Sequence, residues 1–584
     1  MTLANSPGVR KYSQKDNVLD RIKPAPALWL LGVTGLALRL FFLRYRFAVA
    51  FDEVNYLKLG VSGALHGWSG ILHTYWSPLL PAFIKLFCGW FPDYELGARM
   101  VSVLAGVLVL IPVYFLAKTV YDQKIGVIAA GFMAIFPPIA FRNTQILTES
   151  LVMLLGALAV LFGLMMLRRY SVGYACFAGL FAGLAYLAHP LALGFLAVLA
   201  GWILFGSFSR LFPIRRLRLV YLVPALVAGF VAVAAPYLVF LEQSTGTWTL
   251  SAKGAANQQM STPLKGQESS FRSLDVSNTT VPIDQVFHQG TFLQATNGGA
   301  KPVRQVKLGP FVVKVMKNLA DMMSRAIPQF LTTLPMLAFA VGLLGTMWQV
   351  QQGKMLLYLV SFLAFFWLIL IPVFHIHLRY LSPVWPICAI FIAKGIIHIH
   401  GWLSRYMPVT RLSRRKKLNA SALAGALVLV IFTGLSFLPE FGRVVSRAPN
   451  SPDYAADAVE QKRAGEWLKQ HTSTTPVIMS RNHAVDFYAG NYDIKESVTI
   501  PTNRVERVLT YARHRNVTHL VLNERYVQDY PQLAFLLSGE GSSPYLELVY
   551  KDVDEAGLAT VIYRLTEPAK SSGTGAVDDE ISNL

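Results

Sequence analysis

Two adjacent carboxylates, Asp52 and Glu53, follow the first long apolar run of the chain. A charge in hydrocarbon is costly, so a pair placed where the chain emerges marks a boundary and a candidate site of chemistry. On a helix the two point about 100° apart and cannot share one task, whereas Asp52 and Tyr56, at i and i+4, share a face. One carboxylate can take a proton from an acceptor while its neighbour holds structure. The same pair reads equally well as a cap on an interfacial helix, satisfying the free N–H groups of the first turn.

Other polar groups interrupt the apolar sequence in the same way. The stretch Arg142-Asn143-Thr144-Gln145 is unusually polar for a tight turn, and Glu149 stands at the start of an apolar run. Thr148 to Ser150 also fits a helix start, where the dipole favours Glu. His375-Ile376-His377-Leu378-Arg379-Tyr380 opens a later run. Arg379 suits an anionic headgroup or snorkels to the interface. His375 and His377 are two apart and face away from each other on a helix, which argues against a two-His metal site. His189, before Pro190, reads as a hydrogen-bonded loop residue. Arg39, inside the first apolar run, must pair with a partner or reach a wet cavity.

The elements that position these groups belong to a membrane. The 584 residues are 54% hydrophobic and 15% charged, against roughly 25% charged in soluble domains. About eleven segments suit spanning helices, near residues 27–49, 97–118, 125–141, 149–167, 173–188, 190–208, 219–241, 327–348, 355–374, 381–400 and 420–438. The net charge of +20 then reflects cytoplasmic loops, and nucleic acid is not an expected partner. With that count the basic clusters fall on one side: the N-terminal tail, Lys118 with Lys124, Arg168 with Arg169, Arg215 with Arg216, Lys354, and Arg411 to Lys417. That side is the cytoplasm, so the carboxylates, Arg142, His189 and Arg379 share the outer face.

Residues 1–26 read as a cytoplasmic tail, 27–438 as the membrane module and 439–567 as an extracytoplasmic α/β domain, with 568–584 a disordered tail. In the domain, helices over 455–470 and 503–515 alternate with β-branched runs at Val477–Met479, Leu520–Leu522, Leu546–Tyr550 and Thr560–Tyr563. The first outer loop, 50–96, holds an interfacial amphipathic helix after Pro81, with Trp76 and Trp90 as anchors. The second, 242–326, is rich in Gly, Ser, Thr and Gln and reads as a mobile lid. Cys88, Cys176 and Cys388 lie in apolar stretches, suited neither to disulfides nor to a thiolate metal site.

Asp52-Glu53, then Trp76-x-Pro78-Leu79, Gly97-Ala98-Arg99-Met100-Val101-Ser102, Thr148-Glu149, Gly183 to Pro190 and Arg379 to Pro386 resemble, in their order and placement over residues 27–400, the protein O-mannosyltransferases and lipid A aminoarabinose transferases. The resemblance implies the C-type glycosyltransferase fold, a polytopic α-helical membrane protein, and a polyprenyl-phosphate sugar as donor. By resemblance Asp52 is the catalytic base and Glu53 its neighbour, while Glu149 takes a position where many relatives carry Asp. Arg379 is the leading phosphate contact, with Arg142, Arg99 and Lys253 behind it, and His189 where relatives often have Lys or Arg. Tyr56, Trp76 and Tyr380 are expected to line the donor and acceptor pocket. No Asp-x-Asp stands in the first loop, so no metal and no other cofactor is expected.

The expected activity is inverting transfer to a protein, lipid or glycan acceptor at the outer face of a bacterial plasma membrane. A competing class is a secondary transporter or lipid-linked-sugar flippase, which would place ionisable groups and broken helices near the bilayer midplane.

Overall fold

Without water to satisfy backbone N–H and C=O groups, a chain this apolar folds into helices wherever it meets lipid. The computed structural model describes residues 24–49, 51–91, 93–208, 216–251, 308–345, 350–373, 376–406, 432, 434–447, 457–493, 497–500, 505–539, 545–555 and 557–566. Lys253, His375, residues 1–23 and the expected tail 568–584 lie outside them. The chain forms two compact units. One comprises Met1–Arg44, Arg99–Pro236 and Gln305–Ser446, the other Tyr45–Ala98, Tyr237–Arg304 and Arg447–Leu584. By this division Arg447–Leu584 falls in one unit with Tyr45–Ala98.

Eighteen helices carry the description: α1 (Pro24–Phe42), α2 (Phe51–His66), α3 (Leu79–Phe87), α4 (Tyr94–Leu108), α5 (Leu110–Val120), α6 (Gln123–Ile135), α7 (Pro137–Arg142), α8 (Glu149–Arg169), α9 (Val172–Ala188), α10 (Leu193–Phe208), α11 (Arg216–Thr245), α12 (Leu308–Asp321), α13 (Thr333–Leu344), α14 (Val350–Ala364), α15 (Trp385–Tyr406), α16 (Val459–His471), α17 (Ala484–Tyr488) and α18 (Val505–His514). Among the described residues six stretches are long and apolar enough to cross a membrane: Ala25–Tyr45, Tyr94–Val120, Glu149–Arg169, Val220–Thr245, Gly353–Val373 and Leu378–Trp402. A seventh counts if Leu308–Leu331 and Thr333–Leu344, bent by 107°, form one broken span. The bend falls at Thr332, which holds a positive φ of 62°, a strained conformation for a β-branched residue.

Three more expected segments are helical but short: Gln123–Ile135, Val172–Ala188 and Pro190–Gly206. Proline is the reason. Phe136, before Pro137, turns extended and ends α6, and His189, before Pro190, does the same to α9. The count of eleven is thus not reached by helix length, and most of 420–438 lies outside the described residues. Part of the expected lid is helix as well, since α12 occupies Leu308–Asp321, while 252–307 lies outside the described residues.

Small residues let these helices close on one another, as expected where lipid removes the hydrophobic drive for association. A Cβ on Gly342 of α13 would stand 1.8 Å from the Phe391 carbonyl of α15, and one on Gly395 the same distance from Ala338 O.

In the second unit, Gly60 and Gly63 let α2 lie against Ile84 of α3 and Ile71. Trp90 is exposed as an interfacial anchor would be, but Trp76 is buried. Its ring packs edge-on against Tyr56 and Tyr75, so the anchor reading of Trp76 is corrected. The α/β domain holds β1 (Ile478–Ser480), β2 (Val498–Thr499), β3 (His519–Asn523), β4 (Leu546–Val553) and β5 (Ala559–Leu565), ordered β2-β1-β3-β5-β4. The pleat puts Leu520 and Leu522 in one core and Val521, with Ile478 and Ile562, in the other beneath α16 and α17. β2, two residues long, carries no period the sequence could reveal.

Two outcomes follow from this packing. Gly342→Ala drives a methyl into a carbonyl and should cost about 1–3 kcal/mol, seen as a lower thermal midpoint in detergent. Gly32→Ala, with nothing within 4 Å of the new Cβ, should leave the midpoint unchanged or raised. In β3, burial and the neighbouring Arg564 push His519 down from 6.5 to about 4. Its folded pKa lies below its unfolded one, so the stability of the neutral ring is full above pH 6.5 and lost as pH falls towards 4. The ceiling is about 3 kcal/mol, reduced by residual solvent. Hydrogen exchange of residues 517–523 in urea should show that loss, and His519→Gln should flatten it.

Candidate active site

In the first unit the turn between α7 and α8 is held before any ligand arrives. Arg39 of α1 is fully buried. It donates to Asn143 Oδ1 at 2.9 and 3.2 Å, to the carbonyls of Gly35 and Ala134 at 2.9 Å and to that of Met133 at 3.1 Å. The partner it needed inside an apolar helix is therefore the turn itself, together with the last residues of α6. Asn143 Nδ2 in turn donates to Ser150 Oγ at 2.7 Å. From α4, Arg99 donates to Thr144 O at 2.9 Å and Ser102 to Leu147 O at 3.3 Å. Gly106 leaves the room that Asn143 occupies.

The turn presents Glu149 to the short helix Leu378–Val384, which His377 caps by accepting from Arg379 N at 3.3 Å. Arg379 Nε stands 3.9 Å from Glu149 Oε1, with side-chain exposures of 25% and 11%. At that distance the contact is an ion pair rather than a charge-assisted hydrogen bond. Arg142 reaches the same helix, donating to Ser382 Oγ at 3.4 Å. Loss of water lowers the Arg142 guanidinium from its usual range, with Glu149 opposing and Arg379 adding to the shift. Thr148, Glu149, Val152, His189, Leu191, Arg379, Tyr380 and Pro383 line a small pocket. His189 accepts from Leu191 N through Nδ1 at 3.1 Å, which places the proton of its neutral form on Nε2. Its ring lies 5.9 Å from that of Tyr380, over which Arg379 stacks at 5.3 Å. Among the described residues the Arg379 and Arg142 guanidiniums both act on Glu149 here, a setting suited to an anion.

In the second unit, Asp52 and Glu53 occupy the first turn of α2. Glu53 is buried and Asp52 half-buried, as the 100° step between them requires. Tyr56 is buried against Trp76.

Residues 75–240 match the family described as dolichyl-phosphate-mannose-protein mannosyltransferase. The archaeal oligosaccharyltransferase AglB of Archaeoglobus fulgidus, solved with an inhibitory peptide and a dolichol-phosphate, superposes with a TM-score of 0.54 at 13% identity, over 95% of this chain and 75% of its own. ArnT of Cupriavidus metallidurans, solved with undecaprenyl phosphate, superposes at 0.53 and 13% identity, over 94% of this chain and 99% of its own. The fold is that of the C-type glycosyltransferases. No curated protein sequence matches the chain.

Within this C-type glycosyltransferase fold the family match contains Trp76, Arg99, Arg142, Glu149 and His189 and leaves Asp52 and Arg379 outside. The structure brings Glu149, Arg379, Arg142, His189 and Tyr380 together in the first unit. It buries Arg99 against a main-chain carbonyl, a supporting position rather than a lining one, because the arginine meets the turn before reaching the pocket. Lys253 lies outside the described residues. Sequence reasoning did not single out Ser382 or Leu191, which are ordinary apolar-helix neighbours until the fold places them. Among the described residues no group of three or more His, Cys, Asp or Glu could hold a metal ion.

Arg39→Met removes a charge whose acceptors are three carbonyls and Asn143 Oδ1. It should destabilise the protein by at least about 2 kcal/mol, read as a lower thermal midpoint. Arg39→Lys, with three donors on a compact head, should restore only part of the loss.

Proposed function

We propose that the chain is an integral-membrane inverting glycosyltransferase that moves a sugar from a polyprenyl-phosphate carrier to an acceptor at the extracytoplasmic face. The observation that carries this reading is the pocket lined by Arg379 and Glu149, with Arg142 beside them, in a C-type glycosyltransferase fold. The lipid phosphates bound by AglB and ArnT support the donor class.

In the reaction the acceptor oxygen or nitrogen attacks the anomeric carbon from the face opposite the phosphate. The new bond forms as the bond from that carbon to the phosphate oxygen breaks, and the electron pair leaves with the polyprenyl phosphate. The acceptor proton goes to an Oδ of Asp52. A carboxylate is a weak base towards a hydroxyl or amide, so transfer of the proton comes late. Charge on the departing phosphate is then the larger demand, and Arg379, with Arg142 beside it, meets that demand. Glu149 holds the Arg379 guanidinium in reach, and Glu53 supports the turn that carries Asp52. His189 and Tyr380 flank the phosphate and Trp76 with Tyr56 the acceptor. Nothing in this sequence of steps calls on a metal.

The broken span at Thr332 is the one observation that favours a flippase, since discontinuous helices recur in transporters. Purified protein in proteoliposomes, given a radiolabelled polyprenyl-phosphate sugar and envelope acceptors, separates the two. Sugar transfer supports the enzyme, and counterflow without transfer overturns it. In the transferase, Asp52→Asn should lower kcat by about 10²–10⁴-fold. Arg379→Ala should weaken polyprenyl phosphate binding roughly tenfold or more.

A further inference from the structure

Lysine 58 is fully buried in the second unit, which is unusual for that residue without a partner. Its ammonium donates to Ser497 Oγ at 2.6 Å and lies 4.0 Å from Asp486 Oδ2. That carboxylate oxygen also stands 2.8 Å from His483 Nδ1. Ser497, Asp486 and His483 all belong to the C-terminal α/β domain, whereas Lys58 sits six positions after Asp52 on α2.

A second set of contacts fixes the chain just before α2. Asp457 Oδ2 accepts from Phe47 N at 3.0 Å. The Tyr488 hydroxyl accepts from Val49 N at 3.0 Å and donates to Glu95 at 2.8 Å. The acidic turn Asp52–Glu53 is therefore suspended between two anchors, one on each side, and both anchors are supplied by the C-terminal domain.

We infer that Lys58 is a positioning residue, through which Asp486 and Ser497 of the C-terminal domain set where the first turn of α2, with Asp52, stands during sugar transfer. The inference rests on the proposed role of Asp52. A buried charge attracts a fixed counter-charge strongly and tolerates displacement poorly, so the ammonium transmits the place of the domain to the helix. A displacement of about 1 Å at a reacting group can cost on the order of 10² in rate. Removing the tie therefore lowers turnover while leaving the donor site of the first unit intact.

The test uses the full chain in detergent, with Lys58→Met, Asp486→Asn and, as the mildest change, Ser497→Ala. Lys58→Met and Asp486→Asn should each lower kcat about tenfold or more with donor KM within about twofold. Their double variant should be no slower than the slower single one, as expected for two partners in one interaction. Hydrogen exchange over residues 51–58 should rise in all three, and exchange over Glu149–Arg169 should not. Wild-type kcat in the folded variants overturns the inference, as does unchanged exchange at 51–58 or a rise spread evenly over the chain. Asp52→Asn is run in parallel. Full turnover in that variant overturns the role of Asp52 as base, and the exchange at 51–58 then decides by itself whether Lys58 holds the helix.

Discussion

A charge taken out of water has to be met by partners that cannot move away, and each unit of this protein is arranged around one such charge. In the first, Arg39 faces three carbonyls and the side-chain oxygen of Asn143. In the second, Lys58 faces Ser497 and Asp486. Neither could be left unsatisfied without a cost of several kcal/mol. Both partners come from far along the chain, so the same penalty that makes these residues rare also makes them specific. The turn that carries Glu149 and the helix that carries Asp52 take their places from these contacts, not from local propensity.

The pocket that results combines two kinds of surface. Arg379, with Arg142 nearby, supplies positive charge beside Glu149, and Val152, Leu191 and Pro383 supply apolar wall. Arg379 Nε lies 3.9 Å from Glu149 Oε1, which orients the guanidinium. Its stacking on Tyr380 helps to fix the plane of the guanidinium.

Much of this was legible before any coordinates. Apolar segments marked where helices form, and the β-branched runs of the C-terminal domain fell within three residues of the bounds of β1, β3, β4 and β5. Span lengths were not legible, because Pro137 and Pro190 cut apolar runs that hydropathy alone joins. The site was legible in its charged members, since Glu149 and Arg379 are conspicuous at the ends of apolar stretches. Trp76 was misread as an interfacial anchor because composition does not say whether a ring meets lipid or another ring. Lys58 offered a signal that went unused: it falls four residues after Val54 and three before Val61, on the face of α2 that both bury. A cation at an apolar period is a request for a partner, and only the fold names Asp486.

The sharing of one unit by residues 45–98 and 447–584 bears on biosynthesis. Ser497 follows Lys58 by 439 positions, so at 5–20 residues per second its partner leaves the ribosome roughly 20–90 s later. Throughout that interval α2 has emerged with its ammonium unanswered. The first turn of α2, with Asp52 and Glu53, takes its final place only after those partners have been made.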